Sequence, residues 1–292
     1  MGSGLMGVFK ECPDTFVSKA EGAAILGDAT RNLRKIRSNS IDLIFADPPY
    51  NIGKFKKLET GDYVSWCKEW IGECMRILKP TGSFYLMSAT QFMPYLDVYT
   101  ASEYTVLSRI VWVYDSSGVQ AKNYFGSRYE PILMIVKDKT KYVFNSEAVM
   151  VDAKTGSKRK LIDYRKTPPQ PYNSKKVRSN VWNIPRVRFK MFEYENHPTQ
   201  KPEKLLEIII SASSRENQIV LDPFAGSFTT CAVAKRLGRK FFGIDNNEEY
   251  YKIGLRRLDL ASEYNGETLT KTKLRKTNNK SKRDHLLTSN LH

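Results

Sequence analysis

The stretch that most constrains this chain is Asp47-Pro48-Pro49-Tyr50, which closes the apolar run Ile41-Asp42-Leu43-Ile44-Phe45-Ala46. A short apolar run bounded by turn residues reads as a buried strand. Two consecutive prolines cannot continue a sheet ladder, so the chain must turn out there. The turn holds one acid and one flat ring at the C-terminal end of a strand, where open α/β sheets bind ligands. That pair suits the amino group of a flat heterocycle. Asp47 can accept one N–H, the Pro48 carbonyl can accept another, and Tyr50 can stack on the ring. The alternative is an ordinary strand-ending turn, with Asp47 capping it and Tyr50 packed.

Around this turn, strand and helix patterns alternate. Ala23-Ala24-Ile25-Leu26 reads as a short strand, and Asp28, in Gly27-Asp28-Ala29, is placed to cap a helix over 30–36. Val64, Cys67, Ile71, Cys74, Met75 and Leu78 share a helical face, and Lys79-Pro80-Thr81-Gly82 is read as its stop. Strands are predicted over 83–87, 106–114 and 130–136, with a helix over 91–101. Later come a helix over 203–213 with Pro202 at its first position, strands over 218–222 and 240–244, and a helix over 248–262. Alternation of this kind indicates a parallel, doubly wound α/β sheet.

Two loops follow such strands with polar chemistry. Asp222-Pro223-Phe224-Ala225-Gly226-Ser227-Phe228-Thr229 turns from strand to helix. Gly226 permits close backbone approach, and Ser227 and Thr229 offer hydroxyls at a helix start. Asp245 ends the next strand, 23 positions after Asp222, near the ~20 expected for an acid that holds ribose hydroxyls. A second motif, His197-Pro198-Thr199-Gln200-Lys201-Pro202, leads into a helix start able to receive a carboxylate.

The formal charge of +16 and pI of about 9.6 favour a polyanionic partner. Lys and Arg accumulate between 139 and 196, among them Lys158, Arg159, Arg186 and Arg188, with Tyr164, Tyr172, Trp182, Phe189 and Phe192 interleaved. Basic side chains serve phosphates, and aromatic ones reach bases or fill a gap in a duplex. The loop over 115–129, with Lys122 and Arg128, is long for a compact domain and is read as lying near DNA. No apolar run approaches the ~18 residues of a membrane span. The cysteines (Cys12, Cys67, Cys74, Cys231) and histidines (His197, His285, His292) are scattered, so no zinc site or disulfide framework is expected, and reduced thiols fit a cytoplasmic protein.

These motifs carry a resemblance. DPPY is the catalytic motif of the amino methyltransferases that use S-adenosylmethionine (SAM) to methylate exocyclic nitrogens of DNA bases. HPTQKP closely resembles the family motif lining the methionine end of SAM. Residues 222–229 resemble the family's D-P-F-x-G-S-G-T loop, with Phe228 in place of its second glycine. The order of motifs is similar to that of the β class, and across 22–262 the chain resembles orphan-type adenine methyltransferases of enteric bacteria. The resemblance implies a mostly parallel Rossmann-like methyltransferase sheet with helices on both faces and a DNA-recognition insertion.

It implies Asp47, Pro48, Pro49 and Tyr50 as catalytic residues. It implies Asp28, Ala29, Asp47, His197, Thr199, Lys201, Pro202, Asp222, Phe224, Ala225, Gly226, Ser227, Thr229 and Asp245 around SAM. Double-stranded DNA is the expected partner, with no metal; a homodimer is left open. The expected segments are a lead-in (1–20), a catalytic half (21–138), a target-recognition insertion (139–196), a SAM-binding half (197–265) and a basic tail (266–292). Asp rather than Ser at the head of the tetrapeptide tilts toward adenine N6. An N4-cytosine enzyme and a non-catalytic protein that binds SAM and DNA remain alternatives.

Overall fold

Nine strands form one sheet with helices on both faces. The computed structural model describes residues 5–51, 58–115, 122–153 and 161–261. In chain order the strands are β1 (Thr15–Lys19), β2 (Gly22–Leu26), β3 (Ile41–Ala46), β4 (Leu78–Met87), β5 (Thr105–Val113), β6 (Tyr129–Val136), β7 (Val181–Asn183), β8 (Ile219–Asp222) and β9 (Lys240–Asp245). The helices are α1 (Ala29–Lys35), α2 (Thr60–Ile77), α3 (Met93–Glu103), α4 (Glu203–Ser213), α5 (Thr229–Arg236) and α6 (Glu248–Arg257). The sheet order is β1-β2-β9-β8-β3-β4-β6-β5-β7; its centre, β2-β9-β8-β3-β4, is parallel, whereas β6 runs antiparallel to both β4 and β5.

Alternate strand residues feed two cores, one on each face. Leu43, Phe45, Val220 and Phe241 pack with α4, α5 and α6. Ile44, Ala46, Leu221 and Phe242 pack with α1, α2 and α3. This is the period-2 alternation of a sheet buried on both sides, so its strands read as continuous apolar runs. Asp42 interrupts the β3 run because it ties three strands together. Its carboxylate accepts from Lys79 Nζ at 2.9 Å and from the Ile219 backbone N–H at 2.9 Å.

Four sequence expectations need correction. Residues 15–19, taken as lead-in, form β1 antiparallel to β2, with Leu5 and Phe9 also buried; a single short strand carries too little periodicity to announce itself. Lys79-Pro80-Thr81-Gly82 does not end α2 in a loop. It lies inside β4, where the pairing with β3 shifts register, and an irregularity is where a strand tolerates proline. The segment 139–196, expected as a target-recognition insertion, is not set apart from the sheet: β7 extends it beside β5, and Val143, Val149, Trp182 and Ile184 are buried. Pro202 is the N-cap of α4, with extended backbone, rather than its first helical residue. Among the described residues no helix is long and apolar enough to cross a membrane.

Candidate active site

The parallel centre brings four strand ends to one edge. Gly27-Asp28 follows β2, Asp47 follows β3, Asp222 ends β8 and Asp245 ends β9. Because β6 is antiparallel, its first residues reach the same edge, and with them Glu130. A cleft of about 770 Å³ opens there. It is lined by the whole DPPY set and by every expected cofactor residue except Pro202, which is buried as the α4 cap.

Asp47 is the focus. Its Oδ2 lies 2.5 Å from Lys201 Nζ, while its Oδ1 is buried with no hydrogen-bond partner. A buried acceptor without a donor is costly, so this atom is poised for a donor from a bound molecule. Pro49 contributes differently from Pro48: its carbonyl accepts the Tyr63 hydroxyl at 2.9 Å, fixing the turn to α2. Tyr50 donates its hydroxyl to Glu130 Oε2 at 2.8 Å, and the Lys201 ammonium sits 5.3 Å from the Tyr50 ring centroid. Desolvation, and then the Asp47 and Glu130 carboxylates, push the Tyr50 phenol well above its usual range, so it stays a donor.

The lysine of HPTQKP therefore serves the catalytic acid. Its ammonium pairs with Asp47 Oδ2, donates to the Thr199 carbonyl at 3.2 Å and stands 3.6 Å from Glu130 Oε2, so three oxygens of the protein surround it. Burial opposes its charge, but the two carboxylates outweigh burial and hold its pKa above the ordinary value. The start of α4 is likewise already served, because the Glu203 N–H donates to Glu193 Oε2 at 2.6 Å. His197 Nδ1 accepts from the Thr199 N–H at 3.3 Å, and its ring meets Tyr250 edge-on at 4.4 Å. Burial, with Lys201 nearby, pushes His197 down to about 4, so it is neutral near pH 7.

The β8–α5 loop is rigid for identifiable reasons. Asp222 accepts from the Phe224 N–H at 3.0 Å and from the Thr230 hydroxyl at 2.5 Å. Its burial pushes the carboxyl up to about 7. Gly226 sits at φ +51°, and a Cβ there would lie 2.8 Å from His197 Nε2. Ser227 and Thr229 spend their hydroxyls on each other at 3.0 Å, with Arg257 donating to Thr229 at 2.9 Å. Phe228 takes a left-handed backbone, φ 56°, and buries its ring completely. The ring occupies the space that a Cβ on Gly243 or Gly254 would need, at 2.6 and 2.4 Å. The residue that departs from the family pattern thus turns away from the cleft into the core. Asp245 accepts from the Gly226 N–H and the Asn247 N–H, both at 2.8 Å. Asp28 caps α1 through the Arg31 N–H at 2.8 Å and also lines the cleft.

Residues 41–256 match the DNA methylase family N6_N4_Mtase. The chain belongs to this family. Among DNA methylases it is 58% identical to the DNA adenine methyltransferase YhdJ of Escherichia coli (strain K12), across 94% of this chain and 95% of that one. It is 37% identical to the type II methyltransferase M.HpaI of Haemophilus parainfluenzae, across 83% of this chain and 75% of that one. The cytosine-N4-specific PvuII DNA methyltransferase shares the methylase fold, with TM-score 0.68 at 18% identity over 92% of this chain and 94% of that one. The M1.HpyAVI–SAM complex matches with TM-score 0.55 at 28% identity, covering 79% of this chain and 96% of that one.

The expected DNA contacts fall into two groups. Arg128, Arg186 and Arg188 gather at the end of β5. Arg128 donates to the Tyr114 carbonyl, Arg186 stacks 4.8 Å from the Tyr114 ring centroid, and Arg188 pairs with Asp115 at 2.5 Å. Lys122 is exposed nearby in sequence, while Lys158 and Arg159 lie outside the described residues. Glu130, Trp66 and Tyr250 were not singled out by the sequence. A lone glutamate before Pro131 carries no motif; the antiparallel β6 brings it against Tyr50 and Lys201, which line the cleft.

Proposed function

We propose that the chain transfers the methyl group of SAM to the N6 amino group of an adenine flipped out of double-stranded DNA. The observation that carries this reading is the buried, unpartnered Asp47 Oδ1 in a cleft that Tyr50 also lines. SAM supplies the sulfonium methyl. Of the residues that line the cleft, Asp28 and Ala29 would hold the adenine end of the donor, Asp245 would hold its ribose hydroxyls, and Gly226 and His197 would border the remainder. An exocyclic amine is a poor nucleophile because its lone pair is delocalised into the ring. Asp47 Oδ1 accepts one of its N–H groups and the Pro48 carbonyl accepts the other, which aims the lone pair at the methyl carbon. The new N–C bond would form as the methyl–sulfur bond breaks, the sulfur leaving as the neutral thioether of S-adenosylhomocysteine, and the proton lost by the methylated nitrogen would pass to solvent. Positioning and electrostatics supply the rate.

The substrate base must leave the helix first, and Tyr50 stacks on it in the cleft. The Arg128, Arg186 and Arg188 cluster meets phosphates, and residues 139–196 carry target choice while 197–265 complete the SAM side. Adenine rather than cytosine is favoured by the Asp-first tetrapeptide and by the name of the 58% identical relative. Digesting DNA methylated by the purified protein to nucleosides and separating them by mass spectrometry tests the reading. N6-methyladenine is expected, and N4-methylcytosine as sole product overturns the base assignment while leaving the rest standing.

A further inference from the structure

Behind two residues that line the cleft, Tyr50 and Lys201, stands a carboxylate that the transfer mechanism above does not use. Glu130 enters from β6, which is antiparallel to the strands that carry the other acids. Its Oε2 receives the Tyr50 hydroxyl at 2.8 Å and faces Lys201 Nζ at 3.6 Å. Lys201 in turn holds Asp47 Oδ2 at 2.5 Å. Glu130 is thus joined to both side chains that meet the base: directly to Tyr50, and through Lys201 to Asp47. Of the two Asp47 oxygens, Oδ2 is thereby engaged and Oδ1 is the one without a partner.

We propose that Glu130 and Lys201 are positioning residues, which together fix the Tyr50 ring and turn the Asp47 carboxylate so that Oδ1 alone is presented to the substrate amino group. The inference rests on the methyltransfer reading. Its physical basis is that a carboxylate on a turn can rotate about its Cβ–Cγ bond. A single buried ammonium bonded to one oxygen removes that freedom. Lys201 is itself held from three sides, by Asp47, Glu130 and the Thr199 carbonyl. A lysine anchored this way acts as a fixed post rather than a mobile charge. Glu130 also offsets the positive charge that Lys201 brings close to a sulfonium cofactor, so the site as a whole stays hospitable to a cation.

The geometry makes the two residues unequal under mutation. Lys201→Met leaves Asp47 and Glu130 facing each other with no cation between them. Two carboxylates in one site repel or share a proton, and either outcome disturbs the acceptor that the base needs. Glu130→Gln keeps an acceptor for Tyr50 but removes the second anion. The double variant removes the post together with the repulsion.

Single-turnover methyl transfer from SAM to duplex DNA should be measured for the wild type, Glu130→Gln, Lys201→Met and the double variant. SAM binding is followed separately by calorimetry. Glu130→Gln should slow transfer by about 10- to 100-fold, the scale of a misplaced reacting group. SAM affinity should change much less, and KM for DNA little. Lys201→Met should be slower still, and adding Glu130→Gln should recover part of its loss. A purely structural role predicts instead that the two losses accumulate. A Glu130→Gln protein with wild-type turnover, or a double variant slower than Lys201→Met alone, overturns the proposal. If Lys201→Met fails to fold, wild-type turnover in Glu130→Gln still overturns it. A wild-type protein that binds SAM yet methylates no DNA refutes the functional reading instead, so the two failures are separable.

Discussion

Replacing Asp47 by Asn changes almost no volume but inverts the chemistry of one atom. The Asn amide must place one polar end against Lys201 and the other toward the base. The ammonium is a donor only, so the amide oxygen takes the position of Oδ2, 2.5 Å from Nζ in the wild type. The NH₂ group then occupies the position of Oδ1, the buried atom without a partner. A donor now meets the donor N–H of the substrate. Removing one preorganised electrostatic contact of this kind costs about 100- to 1000-fold in turnover. Here the contact is replaced by a repulsive one, so the upper part of that range is expected.

The fold should pay less. Breaking a buried ion pair costs about 3–5 kcal/mol. Lys201 keeps Glu130 at 3.6 Å and the Thr199 carbonyl at 3.2 Å, and the amide oxygen still accepts its hydrogen bond. The destabilisation should therefore stay below about 3 kcal/mol. Single-turnover methyl transfer, urea unfolding and SAM calorimetry on the same preparation separate the three effects. Turnover within about tenfold of wild type in a folded, SAM-binding Asp47→Asn protein would refute the reasoning, because the Oδ1 acceptor would then not be needed.

Phe228→Gly exchanges a buried ring for a void between Gly243 and Gly254 while relieving a left-handed backbone. The loss of about 3–5 kcal/mol for a buried Phe exceeds the roughly 1 kcal/mol gained at φ 56°, so denaturant unfolding should show a clear net loss. Asp222 is raised from its ordinary carboxylate value to about 7 in the folded state, so the native protein holds its proton more tightly than the unfolded chain does. The stabilisation from this group is complete below about pH 4 and is lost as pH rises toward 7; Asp222→Asn should remove that part of the slope in urea melts across this range. Arg186→Ala with Arg188→Ala should weaken DNA binding and flatten its salt dependence by roughly one unit per phosphate contact removed. The change should be smaller for Arg188, which must first leave Asp115; an unchanged salt slope would exclude both from the phosphate contacts.

What the sequence determined by itself was everything set by neighbours along the chain. Apolar runs ending in Asp, Gly or Pro marked β2, β3, β8 and β9 and the chemistry at their ends, because strand burial and turn residues leave local signatures. The bounds of α4 and the Asp28 cap were legible for the same reason. The tertiary structure alone decided which charges meet. Lys201 stands beside Asp47 because the chain between them adds four of the nine strands and returns, and Glu130 reaches Lys201 because β6 runs against β4. It also decided that Phe228 points inward, since the two glycines that make room for its ring lie on β9 and α6. Strand direction and packing space are properties of distant segments brought together, and no local pattern of residues encodes them.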